Sequence, residues 1–124
     1  MSPLGLILET VIKLPHPNSD DKERRSHMAT YIVLLRYTQQ GVQKIKESPA
    51  RLDAAKKAFK AMGAELKQWY LVMGRYDAVV IAEAPNDETV AKLALAVSSQ
   101  GAVHTETFRA FTEDEYRKII AALS

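Results

Sequence analysis

The sequence predicts an α+β domain of ferredoxin-like βαββαβ order with an extra C-terminal helix. Two observations predict it: apolar runs switch between the alternating period of strands and the period of amphipathic helices, and glycine, proline and capping residues fall at the points where the period changes. The elements then follow as strand, helix, strand, strand, helix, strand, helix, an order that two right-handed crossovers fold around one antiparallel sheet.

The stretch "TYIVLLRYT" (30–38) is rich in β-branched and aromatic residues and reads as the first strand. Gly41 breaks it, and a short turn of helix follows. Ser48 with Pro49 supplies an N-cap and a first-turn proline, and Leu52, Ala55, Phe59 and Met62 recur at helical spacing up to Gly63, the expected C-terminal cap. "KQWYLVM" (67–73) is the second strand and "YDAVVIAEA" (76–84) the third. Asn86 caps a helix that turns Val90, Leu93, Ala94 and Val97 inward and that Gly101 closes. "AVHTETFRAF" (102–111) is the fourth strand. Thr112 and Glu115 have capping-box spacing and open a terminal helix expected to bury Tyr116, Ile119, Ile120 and Leu123.

Composition agrees with one domain. At 124 residues the chain is long enough for a single core, and 47% apolar with 26% charged residues is ordinary for a globular protein. No apolar stretch reaches the roughly 20 residues of a membrane span, so no membrane partner is expected. The 17 basic and 15 acidic residues leave a net charge of +2, too balanced to mark a nucleic-acid surface. Cysteine is absent, which excludes thiol nucleophiles and fits a cytoplasmic setting.

Residues 1–27 differ from the rest. "LGLILETVIKLP" places Leu4, Ile7, Leu8, Val11 and Ile12 on one helical face, and "PHPNSDDKERRSH" reads as a polar linker. A secretory signal matches poorly, because no basic residue precedes the apolar part and Glu9 and Lys13 interrupt it. Ser-His directly before Met28 is a cloning-type junction, so the expectation is an unstructured, vector-derived leader or an upstream start over 1–27 and the domain proper over 28–124. The rival reading is a native arm packed on a partner subunit.

Both parities of the first strand are apolar: Tyr31, Val33, Leu35 and Tyr37 on one side, Ile32 and Leu34 on the other. Helices cover only one face of such a sheet, so something else must cover the second, and another copy of the chain is the simplest candidate.

Three segments, "TYIVLLRYTQQG", "MGRYDAVVIAEAPNDE" and "TETFRAFTEDE", resemble the GYD-domain family, named for the residues that stand here as Gly74, Tyr76 and Asp77. The resemblance runs from about Met28 to Leu123. It implies a dimeric α/β barrel, in which two ferredoxin-like sheets close face to face, and it implies no particular reaction. Where such proteins carry an amide followed by tryptophan at the end of strand one, this chain has Arg36 and Tyr37.

"GRYD" has two readings. As a corner, Gly74 permits positive φ and Asp77 accepts backbone N–H groups. As a site, Asp77 is a carboxylate at the barrel mouth with Tyr76 as hydroxyl partner. His104, the only histidine of the domain, shares a strand face with Glu106, and the pair can serve as acid and base or as a polar pair at a strand end. A metal normally recruits at least three protein ligands, so neither a metal nor another cofactor is expected. Arg36 is placed either to bind a ligand carboxylate or to pair with Glu106. Trp69 and Tyr70 point to opposite faces, so one lines the inter-sheet cavity and the other packs under a helix. Lys44, Lys46, Arg51, Lys56, Lys57 and Lys60 make the first helix basic, but strand three lacks the aromatic residues on which RNA-recognition sheets stack bases, so no nucleic acid is expected.

Two functions follow. The first is a small-molecule binding protein, with the ligand between paired sheets and Arg36, Tyr37, Trp69, Tyr76 and Glu106 as its contacts. The alternative is a cofactor-free isomerase- or monooxygenase-like enzyme acting on an enolisable or aromatic substrate, with His104 or Asp77 as base and Arg36 steadying an oxyanion.

Overall fold

The structure, a computed structural model, describes residues 27–124. The leader helix and nearly all of the linker expected before Met28 lie outside the described residues. Four strands, β1 (Ala29–Tyr37), β2 (Glu65–Leu71), β3 (Ala78–Ala84) and β4 (Val103–Ala110), form one antiparallel sheet in the order β2-β3-β1-β4. The helices are α1 (Gln39–Gln43), α2 (Ser48–Ala61), α3 (Asp87–Ser98) and α4 (Glu113–Ala121), with a 3₁₀ turn at Ile45–Glu47.

The alternation of β1 and β3 explains the two layers. Tyr31, Val33, Val80 and Ala82 are buried on one face with Phe59 of α2 and with Val90 and Leu93 of α3; Leu93 is 1% exposed. The opposite face carries Ile32, Leu34, Val79 and Ile81, half-buried by their sheet neighbours, with Tyr70 and Phe108 exposed beside them. A β-bulge between Leu66 and Gln68 keeps Leu66 and Trp69 on the helix side and turns Tyr70 to the open side.

The expected caps at Asn86 and Thr112 are present. Asn86 accepts from the Thr89 N–H at 2.9 Å, and Thr112 and Glu115 form the reciprocal capping box. Ser48 differs from expectation: it is already helical, because the 3₁₀ turn runs straight into α2 and leaves Glu47 at the boundary with no side-chain cap. β2 starts and stops two residues earlier than "KQWYLVM", which leaves Met73 in the turn and 99% exposed.

The terminal helix is the larger correction. Tyr116, Ile119, Ile120 and Leu123 are exposed, Tyr116 by 57% and Leu123 by 69%, where burial was expected. The helix leaves from the edge strand, beyond the reach of the core that α2 and α3 cover, and an Arg109–Glu115 ion pair at 3.8 Å ties its first turn back to β4.

Candidate functional site

Antiparallel pairing sets Arg36 of β1 directly opposite His104 of β4, and Leu34 opposite Glu106. Side chains alternate across a strand, so Arg36, His104 and Glu106 share the open face with Ile32, Leu34 and Phe108. The turn between β2 and β3 adds a fourth polar group. Tyr76 donates its hydroxyl proton to the Glu106 carboxylate at 2.6 Å, and this bond, followed by partial burial, holds the phenol above its ordinary pKa against the pull of Arg75 and Arg36. The ion pair considered between Arg36 and Glu106 is not formed among the described residues; Tyr76 occupies that carboxylate instead.

Local bonds explain how the turn aims Tyr76. Gly74 has φ +134°, which a residue with a Cβ rarely adopts. The Val72 N–H donates to the Asp77 carbonyl at 2.9 Å and closes the corner. The Asp77 N–H donates to the Leu35 carbonyl at 2.8 Å, and the Asp77 carboxylate accepts from the Tyr37 N–H at 2.8 Å. Glycine thus makes the turn, aspartate fastens it to the end of β1, and tyrosine is left over the open face above β4. The carboxylate of Asp77 is engaged in holding backbone, which is the corner role.

Tyr37 and Trp69 lie on the other side of the sheet. Trp69 pairs with Val80 and packs against the core, and the Tyr37 hydroxyl meets Ser48 Oγ at 3.2 Å. The residues expected around a ligand therefore divide, with Arg36, Tyr76, His104 and Glu106 together on the open face and Tyr37 and Trp69 under the helices. These two help line a cavity of about 160 Å³ between α2, α3 and the sheet.

Sequence reasoning did not find the Tyr31–Asp87–Arg109 group. The buried Tyr31 hydroxyl bonds Asp87, in the first turn of α3, and the Arg109 guanidinium stands 5.6 Å from the Tyr31 ring centroid. Burial first, then the bond to Asp87, pushes the phenol up from 10.0 to about 12. Asp87 follows the Asn86 cap and reads from sequence as an ordinary helix-start acid; only the crossover places it beneath β1. Among the described residues, no three histidine, aspartate or glutamate side chains converge as a metal centre requires, and no helix is long and apolar enough to cross a membrane.

A family model described as GYD domain matches residues 31–120. Over 84 residues the chain is 33% identical to the glutamine synthetase and cystathionine beta-lyase binding protein of Thermus thermophilus, a match covering 67% of this chain and 88% of that one. Among solved structures it is similar to the feast or famine regulatory protein of M. tuberculosis complexed with L-methionine, with a TM-score of 0.55 and 15% identity over 79% of this chain. It is similar also to the leucine response regulatory protein of Mycobacterium tuberculosis, with a TM-score of 0.54 and 14% identity over 79% of this chain. The chain spans 58% of the length of either regulator, and at these identities the likeness shows the fold alone.

Proposed function

The chain belongs to the GYD domain family, and from that premise we propose that it is a homo-oligomeric binding protein that holds a small molecule between paired sheet faces. The observation that carries this reading is the placement of Arg36, His104, Tyr76 and Glu106 at one end of the open face, next to Leu34 and Val79, while Thr30, Gln68, Glu65 and Glu83 lie toward its other end. An uncovered face bearing Ile32, Leu34, Val79, Ile81 and Phe108 is a liability in water, and a second copy relieves it. Once covered, the polar groups lose water and need a partner. Tyr76 satisfies Glu106, whereas Arg36 has no carboxylate among the described residues, so an anionic group on a ligand is its natural complement.

The name of the Thermus relative supports a binding role and extends the reading to docking on a metabolic enzyme; the absence of cysteine suits a cytoplasmic setting for it. The test is native mass spectrometry of freshly purified protein. A dimer, or a multiple of one, carrying a small molecule is expected, and Arg36→Ala should release that molecule. A bare monomer at every concentration would refute the proposal. Steady conversion of the retained molecule would move it to the cofactor-free enzyme, with His104 as the base.

A further inference from the structure

The side of the sheet away from Arg36 holds a second concavity that the open-face reading does not use. Small residues face it from both helices, Ala54, Ala55 and Ala58 on α2 and Ala94 and Ala96 on α3, and they leave space between the helices and the sheet. The space left is about 160 Å³. For scale, an apolar cavity of about 150 Å³ engineered into another protein stays dry and takes a benzene-sized guest.

The lining is polarised. Phe59, Leu66, Val80, Val90 and Leu93 give an apolar interior, with Trp69 as one wall. Tyr37, Ser48, Arg51, Gln100 and Thr105 supply the other polar groups. All five collect at one end, where β1 leaves the sheet and β4 enters it. Tyr37 and Thr105 lie in that part of the strand pair, and Gln100 follows the end of α3. The Tyr37–Ser48 contact brings the first turn of α2, with Arg51, to the same place. No aspartate or glutamate lines the cavity among the described residues. Arg51 is ion-paired through Nη1 with Glu47 at 3.3 Å, an exposed and hence weak pair, and donates through Nη2 to the Lys44 carbonyl at 3.1 Å; its five donors leave further N–H groups for another acceptor.

We propose that this crevice is a second binding site, for a compact carboxylic acid with a ring-sized apolar body. Volume sets the size of the body, and the N–H groups that Arg51 keeps beyond its weak exposed pair with Glu47, with the Tyr37 and Ser48 hydroxyls beside them, set the character of the head group. The carboxylate meets Arg51 and the Tyr37–Ser48 hydroxyls, and the ring lies between Trp69, Phe59 and Leu93. The site is independent of the open face, because the whole sheet separates the two.

Benzoate is the probe, titrated into the full chain with methyl groups observed by NMR. Saturable shifts are expected at Leu52, Val80, Val90 and Leu93, with Ile32, Leu34 and Ile81 of the open face unmoved. Arg51→Gln, whose melting temperature verifies folding, should weaken benzoate at least tenfold and leave the neutral probe benzyl alcohol unchanged. Shifts confined to the open-face methyls, or none that saturate, would overturn the site; equal benzoate affinity in the Arg51→Gln protein would overturn the assignment of a carboxylate.

Discussion

The Tyr76 hydroxyl donates to the Glu106 carboxylate at 2.6 Å while Asp77, the next residue, accepts from the Tyr37 N–H at 2.8 Å. The same three-residue signature therefore does two jobs on two sides of β1. It closes a corner, and it brings a hydroxyl to the Glu106 carboxylate on β4.

Arg36 is left exposed beside His104 with no ion pair among the described residues, so Arg36→Ala should change stability by no more than about 0.5 kcal/mol. Loss of ligand in native mass spectrometry, with a thermal melt equal to that of the ligand-stripped parent protein, is the expected pair of results. A loss of stability well above about 1 kcal/mol would show that Arg36 holds structure rather than ligand.

The corner should respond in a graded way. Gly74→Val is expected to cost about 1 to 3 kcal/mol, because valine must adopt the φ of +134° although nothing crowds its Cβ. Asp77→Ala strands the Tyr37 N–H and should cost about 1 to 3 kcal/mol, whereas Asp77→Asn keeps an acceptor oxygen and should cost less. Gly41→Ala tests close approach instead, since a Cβ there runs into the Ala102 carbonyl oxygen, and it should cost about as much by overpacking. Urea unfolding of the four variants gives the ranking; a near-neutral Gly74→Val would remove the positive-φ explanation.

Tyr31 gives a pH dependence whose direction follows from its environment. Its folded pKa, about 12, lies above the ordinary 10.0, because the buried phenol beside Asp87 resists ionisation. The stabilisation is complete below pH 10 and is lost as pH climbs from 10 through 12, by an amount on the order of 2 kcal/mol. Tyr31→Phe removes this ionisation, so its stability should fall less steeply over the same interval in chemical denaturation at fixed temperature. Parallel curves for the two proteins would show that Tyr31 is not the titrating group.

What the sequence made legible, and what it did not, divides along local and non-local lines. Strand order and the juxtaposition of Arg36 with His104 were readable, because antiparallel pairing of β1 with β4 leaves little freedom once the turns are placed. Which of Trp69 and Tyr70 faces the helices was not, since the bulge at Lys67 resets the alternation. The missing cap at Ser48 depended on a preceding 3₁₀ turn that leaves no periodic signal. For α4 the capping box and the apolar stripe announced a helix correctly, but amphipathicity states only that a face needs a partner, not where the partner is.

That unpartnered face leads to the last prediction, the route of assembly. Among the described residues two apolar surfaces matter for assembly: the sheet face around Leu34 and Phe108, and the α4 stripe of Tyr116, Ile119 and Ile120. Pairing through the sheet is expected to dominate, because it buries Ile32, Leu34, Val79, Ile81 and Phe108 in one step and encloses Arg36 and His104 with them. Leu34→Glu would bury an unpaired charge between the two sheets, so it should convert the dimer, or a multiple of it, to monomer in light scattering. In the free chain Leu34 is only half-buried, so folding of the monomer should survive by circular dichroism. Ile120→Glu, on the helix stripe, should weaken assembly less. The reverse ranking, with Leu34→Glu still dimeric and Ile120→Glu monomeric, would move the interface from the sheet to α4 and take the enclosed chamber around Arg36 with it.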